Sequence, residues 1–447
     1  MSGERAAGEA VAALTLADAI RARGAGRTAR EIAESSLSRI DAVEPTVRAF
    51  AHLSADQVRA AADAADGAGA PAKPLRGLGI GVKDIVDTAA LPTTIGTAIH
   101  DGRQPTRDAA CIARLHDAGG FVFGKTVTTA FAFLDSGATR NPWDPRHTPG
   151  GSSSGSAAAV AAGELAGAIG TQTNGSVVRP AAFCGVVGFK PSYGWLDFTG
   201  VHVFSATLDT LGTFTRTVED AGLLAGALAH QAGWPAAAAT APHAPRLAFL
   251  PSFPWSPMRP GAADALMASA VHLRAAGATV TPVALPDGWR DAHRVHRAIM
   301  LYEGARALAA VQAAHRARIS AAANAALDEG HAIEEADYRA ALAARGQAIA
   351  YFTEWLAPYD AVLAPPATGA APAGFATTGD PGCCTLWSLV GFPAIALPAA
   401  LDPDGLPLGV QLTSGMGQDA RLLSVAAWCE AALGWGARIA PVRRDAG

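Results

Sequence analysis

Residues 149–160 read PGGSSSGSAAAV, three serines in a row between glycines and then a run of alanines. The stretch matches G-x-S-x-G with Ser153 at its centre, a motif that places a nucleophilic serine where a buried strand turns sharply into a helix. The preceding residues, TRNPWDPRHTPG at 139–150, contain three prolines and several charges, so they predict a loop. A Ser-His-Asp hydrolase of this type also has its histidine near the chain end, whereas the last histidine here is His331. We therefore predict that Ser153 is not the nucleophile.

The composition indicates a compact globular protein, since half of the 447 residues are hydrophobic and 17% are charged. The net charge of -4 gives no indication of a nucleic-acid partner or an anionic membrane surface. No run of about 18 apolar residues occurs, so no membrane span is predicted. Five cysteines, odd in number and scattered, argue against a disulfide framework, and the twelve histidines form no ligand cluster. These features favour a reduced, cytoplasmic protein without a metal.

Segments typical of helices and strands alternate along the chain. The clearest are helices at 13–42, 111–120 and 157–169 and strands at 74–89 and 121–126. Thr28 and Glu31 form a predicted capping box inside the first of these. The alternation predicts an α/β protein with a mixed, mostly parallel central sheet covered by helices on both faces.

We predict a single large domain over residues 1–447, because no linker divides the chain. Residues 255–358 are expected to form a mostly helical insert. Residues 230–246, rich in alanine and proline, are expected to cross the surface.

A second motif, GGFVFGKT at 119–126, satisfies the phosphate-loop pattern G-x-x-x-x-G-K-[ST]. Such a loop follows a strand and precedes a helix, so that backbone N–H groups face the phosphates. Here a predicted helix ends at Gly119, and the residues before Lys125 are strand formers. The context argues against an ATP site, and we predict no cofactor.

The stretch GTQTNGSVVRPAAFCGVVGFKPS at 170–192 is dense in small and hydroxyl residues around Ser176. A turn over Thr173, Asn174, Gly175 and Ser176 can aim consecutive backbone N–H groups at one point. Donors held in that way stabilise an oxyanion as its charge develops. The sequence therefore predicts an oxyanion hole formed by these four residues.

PGGSSSGSAAAVAAG and GTQTNGSVVRPAAFCGVVGFKPS together resemble the signature of the amidase signature family. Further stretches resemble blocks of that family and occur in family order: GVKD (81–84), GKTVTTAFA (124–132), TRNPWD (139–144), TLDTLGTFTRTVED (207–220) and GFPAIALPAALDPDGLPLGVQL (391–412). The resemblance runs from about residue 15 to about residue 430. It implies the amidase signature fold, with the signature core at about residues 70–225.

The resemblance implies a Ser-Ser-Lys triad at Lys83, Ser152 and Ser176. Ser176 would be the nucleophile, and Ser152, usually found in a non-proline cis peptide, would relay its proton to Lys83. Ser153 is expected to support the triad by a hydrogen bond. Arg179 is also expected near the triad, in a structural ion pair rather than in contact with substrate.

A lysine has a pKa of about 10.4 in water, so Lys83 can accept a proton at neutral pH only where burial lowers that pKa. The apolar residues around GVKD predict such burial. A carboxylate beside Lys83 would raise its pKa instead. We therefore expect Asp84 and Asp87 to point away from the lysine, because alternate strand residues face opposite sides.

Several positions depart from the family pattern and put the substrate in question. The family often has aspartate at Gln172, glycine at Asn174 and Ser154, and glutamate at Ala130. Gln172 and Ala130 would make the site less polar, and Trp387 lies in a segment that often approaches the substrate. All three are predicted substrate-binding residues.

These features predict a serine hydrolase that cleaves the C–N bond of a small, fairly apolar amide through an acyl-enzyme. A carbamate hydrolase with the same triad, a glutaminase-type subunit of an amidotransferase complex and a non-catalytic scaffold are the alternatives. The expected partners are a small-molecule substrate and a second copy of the chain in a homodimer. The pocket is expected to be built from the loops at 128–137, 199–207, 299–306 and 380–389.

Overall fold

An eleven-stranded sheet runs through the molecule. The computed structural model describes residues 14–67, 73–240 and 243–443. Its strands are β1 Phe50–His52, β2 Gly79–Lys83, β3 Phe121–Thr126, β4 Gly167–Gln172, β5 Val187–Lys190, β6 Thr210–Thr215, β7 Arg246–Phe249, β8 Thr279–Pro282, β9 Ala361–Ala364, β10 Ala394–Leu401 and β11 Pro407–Thr413.

The strands lie in the order β1-β3-β2-β4-β6-β5-β10-β11-β9-β7-β8. Parallel pairing is confined to β3-β2-β4 near one end and β9-β7-β8 at the other. The remaining neighbours, including all five pairs from β4 to β9, are antiparallel. The predicted mixed α/β fold is confirmed, but among the described strands antiparallel pairs outnumber the parallel pairs expected to dominate. Among the described strands, only the antiparallel pair β10-β11 is joined by a short turn. The other antiparallel pairs bring together strands that are separated by long stretches of chain.

Fifteen α-helices occur within the described residues. They are α1 Leu16–Gly24, α2 Ala29–Val47, α3 Ala55–Gly67, α4 Ala110–Asp117, α5 Ser154–Ala161, α6 Val178–Cys184, α7 Val218–Ala229, α8 Gly233–Ala239, α9 Pro260–Ala275, α10 Ala292–Ala307, α11 Ala309–His315, α12 Ala321–Ala332, α13 Glu335–Leu356, α14 Gly382–Leu389 and α15 Asp419–Leu433. None of the helices in the described ranges is long and apolar enough to cross a bilayer.

The predicted capping box is present at the start of α2. The Thr28 side chain accepts from the Glu31 amide, and the Glu31 carboxylate accepts from the Thr28 amide. The helix predicted at 157–169 is shorter than expected, since α5 ends at Ala161 and residues 167–169 belong to β4. Gly163 explains the early end, because its φ of +74° is a left-handed conformation that stops a helix.

The serine-rich stretch enters α5, a helix whose eight residues are all buried. Its small side chains allow close backbone approach. A Cβ on Gly155 would lie 2.2 Å from the Ala49 carbonyl oxygen and 2.4 Å from the Val127 nitrogen. Glycine is therefore required at this position, and the tight fit fixes Ser152 and Ser153 at the start of the helix.

Most of the region from 255 to 358 is helical, as predicted. Strand β8 interrupts it and forms one edge of the sheet beside β7. Helix α10 packs against α12, α13 and α14. The region is therefore anchored to the sheet, and α10 joins it to the segment that carries Trp387.

The segment at 230–246, predicted to cross the surface, contains the short helix α8 among its described residues. Trp234 and Ala238 are buried against α7 and the neighbouring core. Burial of these apolar side chains outweighs the proline at the start of the helix, where a missing N–H costs little.

Candidate active site

Lys83 is the last residue of β2, between the ends of β3 and β4. Its side chain is completely buried, as the sequence predicted. Nζ lies 2.7 Å from Ser152 Oγ and 2.8 Å from Thr171 Oγ1. Burial lowers the pKa of Lys83 to about 7, although the charge of Asp209 acts to raise it. Lys83 can therefore be neutral near physiological pH and accept a proton.

The two aspartates near Lys83 pair with other cations, although they lie after β2 and not, as the prediction assumed, within the strand. Asp84 Oδ1 lies 3.3 Å from Lys125 Nζ. Asp87 forms an ion pair with Arg103, at 2.6 Å. Neither carboxylate therefore opposes the low pKa of Lys83.

The phosphate-loop match at 119–126 is not a phosphate loop, in agreement with the sequence context. Helix α4 ends before it, and residues 121–126 form β3. Lys125 is fully buried and donates hydrogen bonds to the carbonyl oxygens of Val86 and Pro92 and to Thr93 Oγ1. These bonds from the Lys125 ammonium group hold residues 86–93, which follow β2, in place.

Ser152 follows a cis peptide bond from Gly151, as the resemblance implied. Ser153 lies behind it, fully buried. Its Oγ donates to the Thr171 carbonyl at 3.1 Å and accepts from the Thr171 amide at 3.2 Å. Ser153 thus holds the strand residue that contacts Lys83. Thr171 was not predicted, although it lies two residues before Thr173 in a strand that leads to the loop of Ser176.

Ser176 lies in the serine loop, residues 173–177 between β4 and α6, and lines the main cavity with Thr173, Asn174 and Gly175. These are the four residues predicted to form the oxyanion hole. Within the described part of the chain, Ser176 Oγ makes no hydrogen bond. The loop is organised by Gln172, whose Oε1 accepts from the amides at 177 and 178 at 2.8 and 3.0 Å.

The three predicted substrate-binding residues are not among those that line this cavity. Gln172 is fully buried by its contacts with the loop backbone, and its Nε2 donates to Ser388 Oγ at 3.0 Å. Trp387 is fully buried against Phe253 and Phe352. Ala130 packs against the neighbouring core. In this structure Gln172 supports the serine loop, and Trp387 and Ala130 pack in the core, so none of the three lies at the cavity wall.

The cavity has a volume of about 590 Å³ and a mainly apolar wall. Each of the four segments predicted to build the pocket contributes to it, through Phe133 and Leu134, Phe204, Met300, and Asp380 respectively. Two of them are not loops, because 299–306 lies within α10 and 382–389 forms α14. The rings of Phe133 and Phe204 stack with centroids 4.5 Å apart. The wall agrees with the expectation of a fairly apolar substrate, while Arg179, Arg259 and Asp380 add charge.

Arg179 does not form the predicted ion pair with a described residue. Its Nη2 donates to the Gly151 carbonyl at 2.6 Å and to Thr378 Oγ1 at 2.9 Å. It therefore supports the cis peptide directly before Ser152. Arg179 is 4% exposed and lines the cavity, and its Nε and Nη1 have no partner in the described ranges. The predicted ion pair is absent among the described residues, because a backbone carbonyl and a hydroxyl accept the hydrogen bonds of Arg179 where a carboxylate was expected.

Asp209 is a site residue that sequence reasoning missed, although it lies in the quoted block at 207–220. It accepts from Thr173 Oγ1 at 2.5 Å and from the amides of Phe204 and Ser205 at 2.8 and 3.0 Å. Burial raises the pKa of Asp209 to about 6, against the effect of these donors and of Lys83. Asp209 thus links the serine loop to the cavity wall and carries negative charge near Lys83.

Comparison with known proteins identifies the family of the chain. The amidase family model matches residues 31–423. A glutamyl-tRNA(Gln) amidotransferase subunit from Synechococcus sp. (strain WH7803) is 33% identical over 89% of this chain and 93% of its own length. A crystal structure of an amidase has a TM-score of 0.85 and 31% identity over 94% of this chain and 99% of its own. Native peptide amidase from Stenotrophomonas maltophilia has a TM-score of 0.80 and 28% identity, covering 96% and 98%. The chain therefore belongs to the amidase signature family of hydrolases.

Proposed function

We propose that the chain hydrolyses the C–N bond of a small amide, with Ser176 as nucleophile, Ser152 as proton relay and Lys83 as base. The contact that supports this most is the one between Lys83 Nζ and Ser152 Oγ, 2.7 Å apart. A lysine buried without a carboxylate contact gains little stability from its charge, because burial disfavours the charged form. The lowered pKa suits it to accept a proton. A base in contact with a hydroxyl beside a cavity is the arrangement that activates a serine.

In the first step Ser176 Oγ attacks the amide carbonyl carbon and forms a tetrahedral intermediate. The Ser176 proton passes to Ser152, whose own proton passes to Lys83. Collapse of the intermediate breaks the C–N bond, and the leaving amine takes a proton back along the same route. Water then attacks the acyl-enzyme, loses a proton to the relay and releases the acid and Ser176.

The backbone N–H groups at 173–176 would stabilise the oxyanion in both steps. Fixed donors of this kind supply the largest single contribution in many acyl-transfer enzymes. The cavity beside them is lined mainly by apolar side chains, which favours a fairly apolar acyl or amine group. Arg179 adds two nitrogen atoms, Nε and Nη1, without a partner in the described ranges, so an acyl group that ends in a carboxylate belongs in any substrate panel.

A substrate panel tests the proposal. It would contain alkyl amides, anilides, amides with a terminal carboxylate, carbamates and the matching esters, with detection of the released amine and acid. We expect turnover of at least one amide, lost in Ser176→Ala. Turnover of carbamates only would replace the amide proposal with the carbamate alternative. Turnover that persists in Ser176→Ala would contradict the assigned nucleophile.

The glutaminase-type alternative is favoured by the similarity to the amidotransferase protein over most of the chain. The apolar wall argues for a different substrate, because free glutamine carries charges at its α-carbon. Ammonia release from glutamine by the purified chain separates the two. Release comparable to that from the best amide would favour the glutaminase, whereas amide turnover without glutamine turnover would favour the stand-alone amidase.

A further inference from the structure

The serine loop is held by its carbonyl groups. The Asn174 carbonyl accepts from Ser388 Oγ at 2.5 Å, and the Gly175 carbonyl accepts from the Arg179 amide at 3.0 Å. The Thr173 carbonyl accepts from His296 Nε2 at 3.1 Å.

Each of these bonds also fixes the amide that follows the carbonyl. In a trans peptide the N–H points opposite to the C=O, and the peptides of this loop are trans. The amides of Asn174, Gly175 and Ser176 make no hydrogen bond to another described residue. Since all three residues line the cavity, these amides are the donors available to an oxyanion.

Of the three donors that hold the loop carbonyls, His296 is the one that comes from the helical region at 255–358. It lies on α10 and is 1% exposed. Met300 and Glu303 follow at four- and seven-residue spacing on the same helix face. Met300 lines the cavity, and Glu303 accepts from the Thr207 amide at 3.0 Å. One face of α10 therefore contacts the serine loop through His296, forms part of the cavity wall through Met300, and holds the loop that follows Phe204 through Glu303.

The His296 ring is a donor throughout the useful pH range. A carbonyl oxygen can only accept, so the Nε2 atom that faces Thr173 carries the hydrogen. Burial lowers the pKa of His296 to about 4. The ring therefore stays neutral near physiological pH, and its bond to Thr173 does not titrate with Lys83.

We propose that His296 is a positioning residue for the oxyanion hole, orienting the Thr173–Asn174 peptide so that the Asn174 amide faces the reacting carbonyl. The inference rests on the proposed acyl-transfer function. It assigns part of the catalytic geometry to the helical region, where the sequence predicted a pocket segment at 299–306 but no role for His296.

Two substitutions separate the hydrogen bond from the volume of the ring. His296→Leu removes the donor at similar size, and His296→Gln keeps an N–H at the position of Nε2. His293→Leu is the matched control, because His293 lies one turn earlier on α10. Its ring stacks on Trp255 and makes no hydrogen bond to the serine loop in the described ranges. If His296→Leu does not fold, His296→Met provides a second variant without a donor.

The measurements are kcat and KM for the best anilide, the inhibition constant of phenylboronic acid, which forms a tetrahedral adduct with a serine nucleophile, and the melting temperature. We expect His296→Leu to lower kcat by about 10- to 100-fold with KM nearly unchanged, and to raise the inhibition constant of phenylboronic acid by a similar factor. His296→Gln should recover most of both losses. The His293→Leu control should stay within about twofold of the wild type.

Wild-type kcat and boronate inhibition in His296→Leu would overturn the inference. A rise in KM alone, or equal losses in His296→Leu and His296→Gln with a lowered melting temperature, would also overturn it, because both indicate a structural role. Failure of the proposed function gives a different result: the wild type itself would show neither amide turnover nor inhibition by phenylboronic acid, and both proposals would fall together.

Discussion

At the scale of single residues, Lys83 decides the chemistry. Its neighbours in the described ranges include no carboxylate in contact with it, and burial brings its pKa to about 7. The motif indicated which lysine to consider, and the apolar residues around it indicated burial. Thr171 and Asp209 were not identified, because their roles depend on contacts across the sheet that residue type alone does not reveal.

The low pKa of Lys83 predicts how activity depends on pH. Below its pKa the lysine is protonated and cannot accept a proton from Ser152, so kcat/KM should rise with pH and reach half its maximum near pH 7. A profile of kcat/KM between about pH 5 and about pH 9 checks this. Lys83→Met should lose about 10²- to 10⁴-fold in kcat/KM. A flat profile with a rate-limiting acylation step would contradict lysine as the base.

Asp209 should influence the pH at which kcat/KM reaches half its maximum. Its carboxylate raises the pKa of Lys83, so Asp209→Asn should move the half-maximal pH of kcat/KM downward. His202 is a further titratable group that interacts with Lys83, but burial lowers its pKa to about 4, so it is neutral where kcat/KM rises. The same pH profile, measured on Asp209→Asn and on His202→Gln as the control, tests this. An upward shift in Asp209→Asn would show that the electrostatic assignment is wrong.

At the scale of elements, the predictable parts are those with local signals. The capping box of α2, the strand at 121–126 and the tight helix after the serines are examples. The direction of strand pairing was less accessible, because the central strands are buried on both faces whether they pair in parallel or antiparallel, so the alternation typical of antiparallel strands is missing. One local signal existed, since the DPDG turn at 402–405 joins β10 to β11 as a hairpin. The face that α10 presents to the site had no motif.

Glu303 shows how α10 holds a loop of the cavity. It accepts from Ser205 Oγ at 2.5 Å, from the amide and hydroxyl of Thr207, and from Tyr338 Oη at 2.6 Å. Glu303→Ala removes all of these bonds beside Phe204. We expect about a tenfold loss in kcat/KM, mainly through KM, and a lower melting temperature.

Glu329→Ala is the matched control for this prediction, because it removes an exposed ion pair with Arg297 from the same helical region. Steady-state kinetics and thermal unfolding of both variants provide the check. Equal effects of the two substitutions would show that the loop does not depend on Glu303.

At the scale of the whole molecule, the proposed base and proton relay lie inside the core. Helix α5 and strands β2 and β4 bring Lys83, Ser152 and Thr171 together without exposing them. Glu164, in the turn between α5 and β4, is also fully buried. Burial and the charge of Glu44 raise the pKa of Glu164 well above its usual value. Folding therefore favours the protonated carboxyl.

This burial predicts a pH-dependent loss of stability. An acid whose pKa is raised by folding contributes its full stability at pH values below its unfolded pKa and loses that stability as the pH rises toward its folded pKa. The free energy of unfolding should thus fall by up to about 1.4 kcal/mol per pH unit from this group. Glu164→Gln should remove that loss and stabilise the protein more at pH 8 than at pH 5, whereas the exposed Glu354→Gln should not. Denaturant unfolding at the two pH values measures it, and an advantage of Glu164→Gln that shrinks with rising pH would contradict it.

The most direct test of the Ser-Ser-Lys assignment is covalent labelling with a fluorophosphonate, followed by peptide mass spectrometry. We expect one adduct on Ser176 in the wild type and in Ser153→Ala, no adduct in Ser176→Ala, and labelling slowed by a factor of about 10² or more in Lys83→Met and Ser152→Ala. An adduct on Ser153, or wild-type labelling rates in Lys83→Met, would contradict the assigned nucleophile or the assigned base.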